Sequence, residues 1–184
     1  MKHFLVFILV LALFLAGCVQ MVDSTTTFSV EGFEDFYALS TAADKSGYIH
    51  EGKIEFAKLG NLYVCPFIKE VNHEECALFF YVYSLEDGIN ETVTIQDVVL
   101  SAKNGEVVVY SETEPCALKF KKEEGSIQLG NFPGKVFKVT NDWFGDGIIL
   151  NLSFRAEVEG NDASEKTFSY DIKIIRNKRP KSPT

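Results

Sequence analysis

Across 184 residues the chain carries 26 acidic and 18 basic side chains, with 46% hydrophobic and 13% aromatic residues. That is enough for one domain with a real hydrophobic core and too little for two. Setting aside Lys2 and the C-terminal quartet Arg176, Lys178, Arg179 and Lys181 leaves 13 basic against 26 acidic residues. A body near −13 excludes nucleic acid or an anionic lipid surface as its general partner.

At the N-terminus, Lys2 precedes an unbroken apolar run from Phe4 to Ala16, 13 residues long, which has the pattern of a secretory signal. A helix crossing the hydrocarbon needs about 20 apolar residues. Here Gln20 and Asp23 follow almost at once, so the run is read as an export signal and not as a span. Its end, Leu15-Ala16-Gly17-Cys18, resembles the bacterial lipobox: Leu, two small residues, then Cys. The resemblance covers residues 1–18 only. It implies diacylglycerol attachment through a thioether at Cys18, cleavage before Cys18, and a membrane-anchored bacterial lipoprotein. Small residues before the cut leave room for a peptidase, and the Cys18 thiol is the strongest nucleophile nearby. Each buried methylene adds about 0.8 kcal/mol of membrane affinity, so two or three acyl chains anchor where one would not. Val19, not Asp, follows Cys18; among lipoproteins of two-membraned bacteria this implies the outer membrane. Residues 18–27, with the small polar run Asp23 to Thr27, read as the lipidated Cys and its tether.

Residues 28–175 read as one all-β domain. Val, Ile, Phe, Tyr and Thr occur in short runs separated by Gly, Asn and Asp, the pattern of an antiparallel two-sheet β-sandwich, immunoglobulin-like in the loose sense. Phe33, Phe36 and Tyr37 share a helical face and predict one short helix over Glu31–Ala43. Strands are predicted at Lys53–Lys58 and Leu62–Lys69, joined by Gly60-Asn61. Ala77–Leu85 leaves no polar face and predicts a central strand covered on both sides. In Thr92–Ser101 the apolar parity switches between Ile95 and Val98, which predicts a bulge near Asp97. Asn104-Gly105 predicts a tight hairpin into Val107–Tyr110. Further strands are predicted at Ala117–Phe120, Ser126–Leu129 and Lys135–Val139. A terminal hairpin follows, in which Leu150, Leu152, Phe154, Ala156 and Val158 face Phe168, Tyr170, Ile172 and Ile174 across Gly160 to Ser164. Residues 176–184, basic and without apolar residues, read as a disordered tail.

With Cys18 acylated, three cysteines remain, and export makes one disulfide plus one free thiol the expectation. Cys65 and Cys76 flank a turn-like stretch, Lys69 to Glu75, and form the preferred pair; pairings with Cys116 stay open. His73, Glu74, Glu75, Cys76 and Cys65 match no known metal cage, so neither a metal nor any other cofactor is expected. Beyond the signal only His50 and His73 remain as histidines, and there is no nucleophile elbow, zinc-protease motif or phosphate loop. The segment Asn141 to Gly147 sets the single Trp143 between Asp142 and Asp146. It reads as an end plug of the sandwich, as a ligand loop in which Trp143 stacks on a sugar while the carboxylates bond its hydroxyls, or, with least weight, as a loop in which Asp142 and Asp146 share a calcium ion. The expectation for function is a non-enzymatic binding or structural module of the cell envelope, held by its lipid anchor and facing another envelope protein or wall polymer. The alternative is a carbohydrate-binding or carboxylate-based hydrolytic protein using Asp142 and Asp146. Replacing Cys18 by Ser abolishes incorporation of labelled fatty acid; persistent labelling of that variant refutes the anchor.

Overall fold

The structure, a computed structural model, describes residues 22–72, 74–86, 89–102, 105–121, 130–131, 134–139, 145, 147–160 and 163–180. The chain divides into a compact unit, Thr26–Ile175, and a second unit made of Met1–Thr25 and Arg176–Thr184. In the second unit the described residues are two strand ends, 22–25 and 176–180. Strand assignment thus continues to Pro180, past the Arg176 at which a disordered tail is predicted to begin. The predicted Ser126–Leu129 strand lies outside the described residues.

The compact unit is an all-β sandwich. Its elements are β1 (Val22–Val30), α1 (Glu34–Ala38), α2 (Ala42–His50), a 3-10 turn (Glu55–Ala57), β2 (Lys58–Leu59), β3 (Leu62–Asn72), β4 (Glu75–Tyr83), β5 (Asn90–Ala102), β6 (Val107–Glu112), β7 (Cys116–Lys121), β8 (Gly130–Asn131), β9 (Lys135–Lys138), β10 (Ile149–Glu159) and β11 (Ser164–Pro180). One sheet has the order β1-β11-β10-β5-β6, with β7 also on β5; the other has the order β2-β3-β4-β8, with β9 also on β4.

The alternation read from the sequence places the core. Along β10 every second residue, Leu150 to Val158, is buried, and along β11 Phe168, Tyr170, Ile172 and Ile174 join them. The two strands pair antiparallel over their whole shared length, Ile149 opposite Lys173 and Val158 opposite Ser164. Phe154 ties the layers together. Its ring stands edge-on to Phe80 of β4 at 4.7 Å and stacks on its neighbour Phe168 at 5.0 Å. Such pairs add about 0.5–1.5 kcal/mol beyond the area they bury. The bulge is where the parity switch puts it. Ser153 lies opposite Val99 but Arg155 lies opposite Gln96, and Asp97 takes φ 54°. The extra residue restores Val98 and Leu100 to the buried face. Gly60-Asn61 closes β2 onto β3 with Gly60 at φ 58°. The β5–β6 hairpin forms as well, Ala102 opposite Val107 and Gly105 at φ 92°, while Asn104 lies outside the described residues.

Three expectations are corrected. The single helix over Glu31–Ala43 is two: Leu39 is extended, and Thr41 caps the second helix by accepting from the Asp44 N–H at 3.1 Å. Lys53–Lys58 is not a strand but turns and a 3-10 turn, with strand resuming only at Lys58. Ile54 and Ala57 are buried while Phe56 stays exposed; this i, i+3 spacing suits a helical turn, which propensity alone did not distinguish from a strand. Third, β3 and β4 do form a hairpin, yet Cys65 and Cys76 are not partners. Cys65 faces Tyr81 and Cys76 faces Glu70, five residues further along β3, so roughly 17 Å separates them at 3.3–3.4 Å per residue. A disulfide spans less than about 7 Å between Cα atoms, and Cys65, Cys76 and Cys116 are all free thiols. The error has a simple cause: the turn is tighter than the polar stretch suggests, pairing Asn72 with Glu75. Phe154→Ala removes the interlayer ring and should cost about 3–5 kcal/mol of unfolding free energy, read by urea denaturation.

Candidate functional site

β1 leaves its sheet early, and this makes the site. At its end the Glu31 N–H donates to the Asp171 carbonyl at 2.8 Å. The chain then turns through Gly32 at φ 81° and sends Phe33 into the core, where it is fully buried. A side chain at position 32 would be strained in that conformation, and its Cβ would lie 2.7 Å from the Phe56 ring. Phe33 packs on Tyr37, Phe56 and Tyr170 at 5.5, 5.0 and 5.4 Å. The helix pair is thereby clamped across the sandwich end and draws the chain off β11.

Beyond the end of β1, part of β11 has a bare edge. In a strand the N–H and C=O of one residue point to the same side, and sides alternate. Asp171 bonds toward β1, so Glu165, Thr167 and Ser169 present their main-chain groups to that side too. The opposite parity faces β10: the Ile174 N–H donates to Ile148 O at 2.9 Å, and the Gly147 N–H donates to Ile174 O at 2.8 Å. Glu31 and Gly32 lie against Lys166–Tyr170, so β1 approaches from the higher-numbered end of β11 and stops short of this stretch. Among the described residues no strand pairs with Glu165–Ser169 on that side.

An open cleft of about 540 Å³ runs along this edge, lined by Glu31, Gly32, Phe56 and residues 166–170 of β11. Phe56, 40% exposed, supplies an aromatic wall. Lys166 supplies a brace: its ammonium donates to Phe56 O at 2.7 Å and to Lys58 O at 3.2 Å, and it lies 4.7 Å from the Phe168 ring centre. Partial burial lowers its pKa, with the Glu55 carboxylate acting against that. On the outer face Arg155 joins Asp97 at 3.1 Å and Glu165 at 3.0 Å across three strands. Exposed pairs of this kind fix geometry more than stability.

Beneath the cleft, tyrosine hydroxyls and one thiol share the core. Tyr37 donates to Pro66 O; the Tyr170 hydroxyl is buried with no hydrogen-bond partner among the described residues. Burial, and then the neighbouring Cys65, pushes Tyr170 well above the usual phenol range, and burial pushes the Cys65 thiol up as well. Cys76 is raised to about 12 by burial, with Glu70 adding to it. Neither thiol is a ready nucleophile, since reaction needs the thiolate. A cavity of about 20 Å³ near Cys116, Tyr110 and the Glu112–Lys135 pair has room for about one water.

Cys18, Asp142, Trp143, Asp146 and His73 lie outside the described residues. Of the Trp143 loop, the Gly147 end is held against β11 through Ile174. Among the described residues no three His, Cys, Asp or Glu side chains gather as metal ligands, and no helix is long and apolar enough to cross a membrane. Sequence reasoning missed Phe56, Lys166, Thr167 and Ser169. A lysine on the buried parity of a strand, with Phe168, Tyr170 and Ile172, was the available signal.

No protein-family model and no curated protein matches the chain. Among solved structures it is similar to one described as "putative beta-galactosidase from bacteroides fragilis", at 18% identity and a TM-score of 0.30. The similarity covers 59% of this chain and 15% of that one, so this chain spans a small part of its length.

The orphaned hydroxyl makes Tyr170→Phe neutral at pH 7 or stabilising by about 1 kcal/mol, since no bond is lost and a desolvated polar group is removed. For a raised phenol the unfolded chain loses its proton first, from about pH 10, so the contribution is whole below that pH and is lost as pH rises toward the folded pKa. Denaturation followed from pH 7 to 12 should show stability falling above about pH 10, and less steeply in Tyr170→Phe.

Proposed function

We propose that this protein is a lipid-tethered module of the bacterial envelope that works by binding, with the β11 edge and the Phe56 cleft as its binding face. One observation carries the reading: a stretch of strand that has no partner strand on one side among the described residues, next to a cleft walled by an exposed aromatic ring. Unpaired strand edges seek main-chain partners, and proteins commonly cover or blunt them. Here the fold spends a left-handed glycine and a buried Phe33 on turning β1 away from that edge. The lipobox-like Leu15–Cys18 supports membrane attachment through Cys18, and Val19 supports the outer membrane where the host has two. The polar residues after Cys18 give the body reach, and its acidic charge holds it off an anionic membrane surface.

A photoreactive benzoylphenylalanine in place of Phe56, irradiated in intact cells, should give a discrete crosslinked adduct in the membrane fraction. The same residue in place of Val108, exposed on β6, is the control and should not give that adduct. No adduct from position 56, or the same adducts from both positions, defeats the assignment of the face.

A further inference from the structure

The chemistry of the edge also selects what it takes. Resting on the binding face just described, we propose that its occupant is a polypeptide segment in extended conformation, uncharged or cationic, added as a strand beside Glu165–Ser169.

Glu165, Thr167 and Ser169 each offer one N–H and one C=O toward the open side, in alternation along roughly 13 Å of strand. Another extended backbone reproduces that repeat of donor and acceptor. A sugar ring or a flat aromatic ligand does not. The incoming strand would lie on the track that β1 occupies further along β11, and Gly32 has already taken β1 out of the way. Alternate side chains of the segment would then point into the cleft, against Phe56 and the β11 residues lining it, while the others lie beside Thr167 and Ser169 on the exposed face.

Charge decides between classes of peptide. The body is acidic and Glu31 stands on the cleft wall, whereas the one cation of the cleft lining, Lys166, is committed to the carbonyls of Phe56 and Lys58. An anionic segment meets repulsion without a ready counter-charge; a cationic one does not. Lys166 also guards the edge. A charged side chain on the inward face of an edge strand discourages indiscriminate sheet extension, and two bodies near −13 repel each other. This disfavours a second copy of the chain as occupant.

The test uses the full acylated chain in lipid nanodiscs, panned against a random linear dodecapeptide library. Enriched peptides should alternate β-branched with Lys or Arg residues. The tightest one should slow hydrogen exchange at the Thr167 and Ser169 amides about tenfold or more. N-methylation of its alternate amides in one frame should weaken binding about tenfold, the loss of two main-chain hydrogen bonds. Thr167→Pro should weaken binding about fivefold or more while the protein stays folded, because that N–H points away from β10 and leaves the ladder whole. Thr167→Val keeps the N–H and should bind within about twofold of the original. The proposal is overturned by failure to enrich any peptide, by enrichment of Asp- and Glu-rich peptides, by indifference to N-methylation in both frames, or by a dimer of the chain that protects the same amides. If those results come with an intact crosslink at position 56, strand addition falls and the binding face stands; if the crosslink is also missing, both fall.

Discussion

The burial of Phe33 governs how this molecule meets its surroundings. Once that ring is set among Tyr37, Phe56 and Tyr170, the chain has to leave the β1 track at Gly32, because no residue with a side chain adopts that turn cheaply with the Phe56 ring so close. The turn ends the pairing of β1 with β11 at Asp171 and leaves Glu165 to Ser169, paired with β10 on one side, without a strand on the other among the described residues. Core packing at one end of the sandwich thus determines which backbone groups stay open at its edge. The hydrophobic effect acts here as a positioning device.

The same cluster keeps the edge in shape. Phe56 stays on the surface because Ile54 and Ala57, on the other side of the 3-10 turn, are buried. Lys166 then fastens that turn to β11 through two carbonyls. The fastening costs part of the lysine's hydration, which is why its proton is held less tightly than an exposed lysine's. On the far face Arg155 bridges β5, β10 and β11, orienting Glu165 away from the cleft. An edge flanked by braced side chains has less conformational freedom to lose than a loose loop has.

Burial gives the cysteines a role different from the one their number suggests. Count alone makes a disulfide the expectation, but register overrides count. Cys65 faces Tyr81 in the β3–β4 ladder, and Cys76 lies five pairs away. Burial raises both thiols, so they behave as small hydrophobic residues.

Period-two alternation in residues 150–174, the parity switch at Asp97, and the Gly60-Asn61 turn were legible from residues alone, because they rest on local backbone geometry and on the burial of every second side chain. The lipobox-like segment was equally legible, being a short linear motif. What the tertiary structure alone decided is where strands end and which of them meet. Lys53 to Lys58 has strand-like composition, yet its burial pattern in three dimensions makes it turns and a 3-10 turn. The cleft joins residues 31–32, 56 and 166–170, which no local pattern relates, because the contact follows from how two sheets and a helix pair close over one aromatic core. Sequence periodicity reports which face of an element is buried; it carries no information about the edge of that element, since edge pairing belongs to backbone groups that every residue shares.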